Sequence, residues 1–143
     1  MTRRIPPAEI FTSLLILLFA YTAISKILDF NKFRRVLSES PLIHNGAGII
    51  ARLLPAIELL IVLLLFLPRY RITGLWISLG MLTVFTGYLF YMLLFASHLP
   101  CSCGGVLSSL SWKEHLVFNV VFLGINTGGL IGLRFSKHKN ITE

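Results

Sequence analysis

Residues 49–67 read IIARLLPAIELLIVLLLFL, an apolar run whose only charges are Arg52 and Glu58, with Pro55 between them. Its length matches the roughly 20 residues that a helix needs to cross the hydrocarbon of a bilayer. Working outward, comparable apolar runs cover residues 10–28, 72–97 and 112–135. The composition agrees: 55% of the chain is apolar, 13% is charged and the mean hydropathy is +0.81. A soluble chain of 143 residues cannot hide that much apolar surface, whereas a bilayer removes the need to. The expected fold is all-α, a polytopic membrane protein built as a four-transmembrane-helix bundle in one domain over residues 1–143.

Arg3, Arg4 and Pro6-Pro7 precede the first run, an arrangement that also describes a signal peptide. The run is long for such a segment. Lys26 and Asp29 stand where a small-residue cleavage site belongs, so it is expected to remain as the first span. The stretch from Asp29 to Gly48 reads as a polar link, and Pro68-Arg69-Tyr70-Arg71 as a tight basic connection. The third run exceeds what a bilayer needs and should tilt or project beyond it. Pro100 disfavours helix at Leu99 and sets its end near there.

The formal net charge is +7, which raises nucleic acid as a partner. The basic residues gather in the links between apolar runs instead of on one face, which argues for a lipid bilayer and no nucleic acid. They also set orientation. Seven of them (Arg3, Arg4, Arg69, Arg71, Arg134, Lys137, Lys139) fall on one side if the helices alternate, against six on the other. Lys26 and Arg52, among the six, lie in or at the edge of spans. This favours both termini in the cytoplasm and an inner-membrane location, with the link after span one and the segment 98–111 outside.

That outer segment contains Leu99-Pro100-Cys101-Ser102-Cys103-Gly104-Gly105, with the only two cysteines of the chain. A bridge between Cys101 and Cys103 closes almost no loop, so it constrains the unfolded chain little and is a poor structural staple. So short a ring should be strained and easily reduced. Gly104 and Gly105 supply backbone freedom for it. Lys113 and the N-terminus of the following helix favour a thiolate if the segment folds back on them. Redox chemistry is the leading reading; a soft-metal site with His98 or His115, and two idle thiols, are the alternatives. Ser111-Trp112-Lys113-Glu114 matches a capping box and gives the last helix a sharp start.

Projected at about 100° per residue, His115, Asn119 and Asn126 fall within about 40° of one another, with Trp112 about 60° away. Gly124, Gly128 and Gly132 lie near the opposite side, a small-residue face able to seat a neighbouring helix or a second copy of the chain as a homodimer. The polar stripe should face the bundle, because such groups are costly in lipid. Asn119 and Asn126 suit either interhelical hydrogen bonds or a ligand pocket. His115, close to the dithiol in sequence, is the candidate proton donor or acceptor for thiol chemistry or for a bound quinone. Glu58 sits mid-span and needs a partner or a proton. Lys26, Arg52 or a tyrosine of span three can supply one, although Lys26 can instead pair locally with Asp29. Tyr88, Tyr91, Phe95 and His98 follow helical spacing and read first as aromatic packing. Trp112 reads first as an interfacial anchor.

Three stretches together resemble one family. Ser25-Lys26-Ile27-Leu28-Asp29-Phe30-Asn31-Lys32-Phe33 is similar to the end of the first span in DoxX-like proteins, and Leu54-Pro55-Ala56-Ile57-Glu58-Leu59-Leu60 to their second span. Cys101-Ser102-Cys103-Gly104-Gly105, followed by Ser111-Trp112-Lys113-Glu114-His115 and Asn119, resembles the MauE (methylamine-utilisation) branch. The resemblance implies a four-helix membrane protein of redox or disulfide metabolism, with MauE linked to maturation of the disulfide-rich small subunit of methylamine dehydrogenase. It also implies kinship of architecture with quinone-coupled disulfide-forming enzymes, which typically use two cysteine pairs where this chain has one.

The expected function is a membrane thiol–disulfide redox protein. Its catalytic residues are Cys101, Cys103 and His115, and Trp112, Asn119, Glu58 and His98 form a quinone or polar pocket. The expected partner is an extracytoplasmic thioredoxin-like or disulfide-containing protein. The alternatives are a non-catalytic assembly or accessory factor and, behind it, a metal carrier.

Overall fold

A computed structural model of the protein describes residues 6–96 and 111–139. Five α-helices account for most of them: α1 (Pro7–Leu28), α2 (Phe30–Glu39), α3 (Ala47–Phe66), α4 (Arg71–Phe95) and α5 (Trp112–Lys139), with a 3-10 turn at His44–Gly46 before α3. All of the long ones (α1, α3, α4 and α5) have the length and apolarity to cross a membrane. They pack in the cyclic order α1, α3, α4, α5 and back to α1.

The distribution of side chains is that of a bundle whose solvent is lipid. Leu17, Leu28, Ile49, Phe66, Val84 and Phe135 are among the large apolar residues that face outward. Thr12, Lys26, Glu58, Ser78, Asn119 and Asn126 are buried inside. Polar groups point inward because hydrocarbon offers them no hydrogen bonds. Between them lies an apolar core of Leu15, Phe19, Ile61, Leu65, Leu75, Leu82 and Leu130. Pro55 lies inside α3 without ending it, as helices supported by neighbours in a bilayer permit.

The glycine face of α5 seats α1 of the same chain. A Cβ on Gly128 would lie 3.0 Å from the Phe11 ring, and one on Gly132 3.2 Å from Ala8 Cβ, whereas Gly124 has nothing within 4 Å. Two of the three glycines therefore serve packing within the bundle, and only the Gly124 end of that face is open.

Two boundaries differ from the sequence reading. The third span ends at Phe95, capped by Ala96, so it needs less projection than a run to residue 97 implies; Ser97 lies outside the described residues. The last helix continues to Lys139, past the apolar run, because Arg134, Lys137 and Lys139 are sound helix formers that water can solvate.

The larger correction concerns the link after α1, which is not simply polar. Residues 30–39 form a short amphipathic helix that buries Phe33 and Leu37 against Ala47 and Ala51 at the start of α3. Lys32, Arg34 and Arg35 point outward. Spacing of four between Phe33 and Leu37 gives the helix its inner face, and the surrounding charges hide that signal in composition. This helix lies at the end of the bundle where α1 and α4 finish and α3 and α5 begin.

Candidate functional site

Lys26 is two residues from the end of α1, and its ammonium forms an ion pair with Glu58 Oε1 in the middle of α3. Both side chains are nearly sealed from outside, at 7% and 3% exposure. Their location follows from the sequence: a carboxylate in a span needs a cation at matching depth, and a lysine near a helix end can reach inward as readily as out. Asp29, the alternative partner, is exposed as the C-cap of α1, and Arg52 is exposed on α3. The local Lys26–Asp29 reading therefore gives way to the buried pair.

Lys26 is also held by aromatic faces. Its Nζ lies 5.7 Å from the centre of the Phe33 ring and 5.5 Å from that of Phe85. These are cation–π distances. The amphipathic helix α2 thus contributes directly to the site through Phe33.

The pair borders a small cavity, about 50 Å³, lined by α1, α3, α4 and α5. Its polar lining is Thr22, Ser25, Lys26, Glu58, His115 and Asn119, and its apolar walls include Phe19, Phe85 and Phe118. His115 and Asn119 come from the first two turns of α5. That helix starts sharply: the Ser111 amide donates to Glu114 Oε2 at 2.7 Å and the Glu114 amide donates to Ser111 Oγ at 3.3 Å. The reciprocal bonds are those of a capping box and place Glu114 at the surface, outside the cavity.

Two buried polar atoms of the residues that line the cavity, Glu58 Oε2 and Asn119 Nδ2, have no hydrogen-bond partner among the described residues. Leaving such groups unsatisfied costs about 1–3 kcal/mol each. One is an acceptor and the other a donor. The cavity is roomy enough for water, which needs about 10–15 Å³ per molecule and several polar partners. It is far below the roughly 300 Å³ of a typical small-molecule site.

The sequence-derived candidates divide accordingly. Glu58, His115 and Asn119 meet at one cavity. Trp112 lines a different, apolar pocket of about 250 Å³ between α2, α3 and α4, with Phe33, Leu37, Ile43, Phe85 and Tyr88 around it. Phe33 and Phe85 stand between Lys26 and this second pocket. The Tyr88 hydroxyl is hydrogen-bonded with Ser40 at 2.8 Å. Asn126 is structural: completely buried, it is hydrogen-bonded with Ser78 of α4 at 2.6 Å. His98, Cys101 and Cys103 lie outside the described residues. Lys26, weighed in the sequence only as a partner for Glu58 or Asp29, is central to the arrangement. Thr22, a turn earlier on the same face of α1, lines the same cavity.

Comparison with known proteins matches the chain over residues 6–133 to the family described as methylamine utilisation protein MauE. No curated protein and no solved structure matches it. The match covers all of α1 to α4 and most of α5, the Lys26–Glu58 pair and the cysteine segment included. The chain is a multi-pass membrane protein that belongs to the MauE family.

Proposed function

We propose that this protein is a membrane thiol–disulfide redox protein whose Cys101–Cys103 pair cycles between dithiol and disulfide. In one turnover the pair exchanges two electrons and two protons with a dithiol or disulfide of an extracytoplasmic, thioredoxin-like partner. Its counterpart on the membrane side is a quinone, reduced to quinol as the dithiol becomes the disulfide, or the reverse. Both termini are cytoplasmic in this reading, in the inner membrane, and the cysteine segment faces outward. The observation that carries the proposal is topological. The ends of α4 and α5 that flank residues 97–110 lie at the end of the bundle where His115 opens the first turn of α5. Residues 97–110, which include both cysteines, join the chain at that end by sequence, and this supports pairing the dithiol with His115 as its proton-exchanging side chain.

The quinone ring is assigned to the apolar pocket lined by Trp112 and Tyr88, since about 250 Å³ accommodates a ring and about 50 Å³ does not. The test is thiol trapping in intact cells with a membrane-impermeant reagent. The pair should appear as a mixture of oxidised and reduced forms that shifts with added oxidant or reductant, and C101S or C103S should abolish the shift. A pair fully reduced under every condition would sink the redox reading. Quinone should co-purify with the wild type and be lost in W112A.

A second reading keeps one observation in view: with two cysteines in total, every further electron carrier lies outside the chain. The protein would then be an assembly or accessory factor that holds a client at the cysteine face. Retained function in the C101S/C103S chain selects that reading.

A further inference from the structure

We propose that the cavity between Lys26, Glu58, His115 and Asn119 is a hydrated proton-exchange site, in which Glu58 Oε2 takes up and returns one proton through water and the His115 imidazole. Two observations carry it. Glu58 and Asn119 line the same cavity, and Glu58 Oε2 and Asn119 Nδ2 are buried with no hydrogen-bond partner among the described residues. The cavity, about 50 Å³, has room for roughly three waters and the polar groups to hold them.

The wiring follows from what each residue contributes. Asn119 donates to a water oxygen, and that water donates to Glu58 Oε2. His115 is half-buried in the first turn of α5, one residue from the exposed Glu114, so it links the cavity to the surface. In uptake, an N–H bond of the imidazolium breaks and a water O–H bond forms, while that water passes another of its protons to Oε2. The imidazole then recovers a proton from bulk water. No electron moves.

The Lys26 ammonium has neighbours besides Glu58. When Glu58 becomes neutral its carboxyl oxygen still accepts from the ammonium, which the faces of Phe33 and Phe85 also hold, so protonating the carboxyl costs less than removing it. The ionisable groups facing Glu58 across the cavity are Lys26 from α1 and His115 from α5; α4 presents Met81, Leu82 and Phe85 there, none of them charged.

The proposal goes beyond the redox reading and does not depend on the cysteines. It is tested on the full chain in lipid nanodiscs by infrared spectroscopy of the protonated carboxyl stretch. Labelling with ¹³C-glutamate identifies the band without any substitution, because Glu9, Glu39 and Glu114 are exposed and only Glu58 is buried among the described glutamates; E58Q should remove it. A buried band that appears as pH is lowered and shifts promptly on transfer to D₂O is the expected result. In H115F the exchange should slow by about a hundredfold, the size of a typical proton-transfer contribution, with N119L intermediate. No protonated Glu58 at any pH at which the protein is folded would overturn the proposal, and so would exchange unaffected by H115F. The C101S/C103S chain should exchange as the wild type does, so that loss of thiol cycling and loss of proton exchange are separate outcomes.

Discussion

Lys26 and Glu58 join α1 to α3 through an ion pair sealed within the bundle. Taking both charges out of water is expensive, and their attraction offsets that cost only while both are present. Removing one partner should therefore be far worse than removing both. K26M or E58L alone should destabilise the protein by about 3–5 kcal/mol, whereas K26M/E58L should lie close to wild type or above it. Thermal unfolding in nanodiscs measures this. Single variants as stable as the double would show that the pair is not the joint it resembles.

Asn126 and Ser78 link α4 to α5 at a level closer to the other face of the membrane. Both are fully buried, and neither lines the cavity. N126L or S78A should lower stability by about 1 kcal/mol, in the ~0.6–1.7 kcal/mol range of interhelical hydrogen bonds in membranes. Proton exchange at Glu58 should be unchanged. An altered exchange rate would mean that the polar stripe of α5 acts as one connected unit.

The bundle and half of the site were legible in the sequence because bilayer physics acts on composition. Residues 49–67 have to span, and Glu58 within them has to find a proton or a cation. The placement of His115 and Asn119 on one stripe of α5 followed from helical periodicity alone. Two things were hidden. Helix α2 carries its apolar face on Phe33 and Leu37 among basic residues, so its hydropathy resembles a loop. The division between polar cavity and aromatic pocket depends on Phe85, a residue with no signature until α1, α2 and α4 surround it.

At Gly128 α5 packs against α1, with the Phe11 ring 3.0 Å from where a Cβ would stand. A leucine there forces the helices apart, and G128L should cost about 1–3 kcal/mol. F11A should recover part of that loss in the double variant by vacating the space. G124L meets nothing within 4 Å and should stay within about 0.5 kcal/mol of wild type. Its oligomeric state is the sharper readout. A dimer seated on the glycine face would dissociate in G124L, whereas a face used only by α1 leaves the oligomeric state unchanged.

Phe33 fastens α2 to the bundle and at the same time forms one wall around Lys26. It is 3% exposed, so F33A should cost about 3–5 kcal/mol, as for other buried aromatic truncations. The loss should be local first. Lys32, Arg34 and Arg35 are exposed trypsin sites on α2, and cleavage there requires the helix to open. Limited trypsin digestion in nanodiscs should leave this stretch intact in the wild type and cut it in F33A while α1 and α3 stay whole. Because the same ring faces the Lys26 ammonium, F33L separates the two roles: it restores most of the packing and the resistance to trypsin, but not the aromatic face. Equal cleavage in wild type and F33A would mean that the bilayer surface, and not Phe33, holds α2 in place.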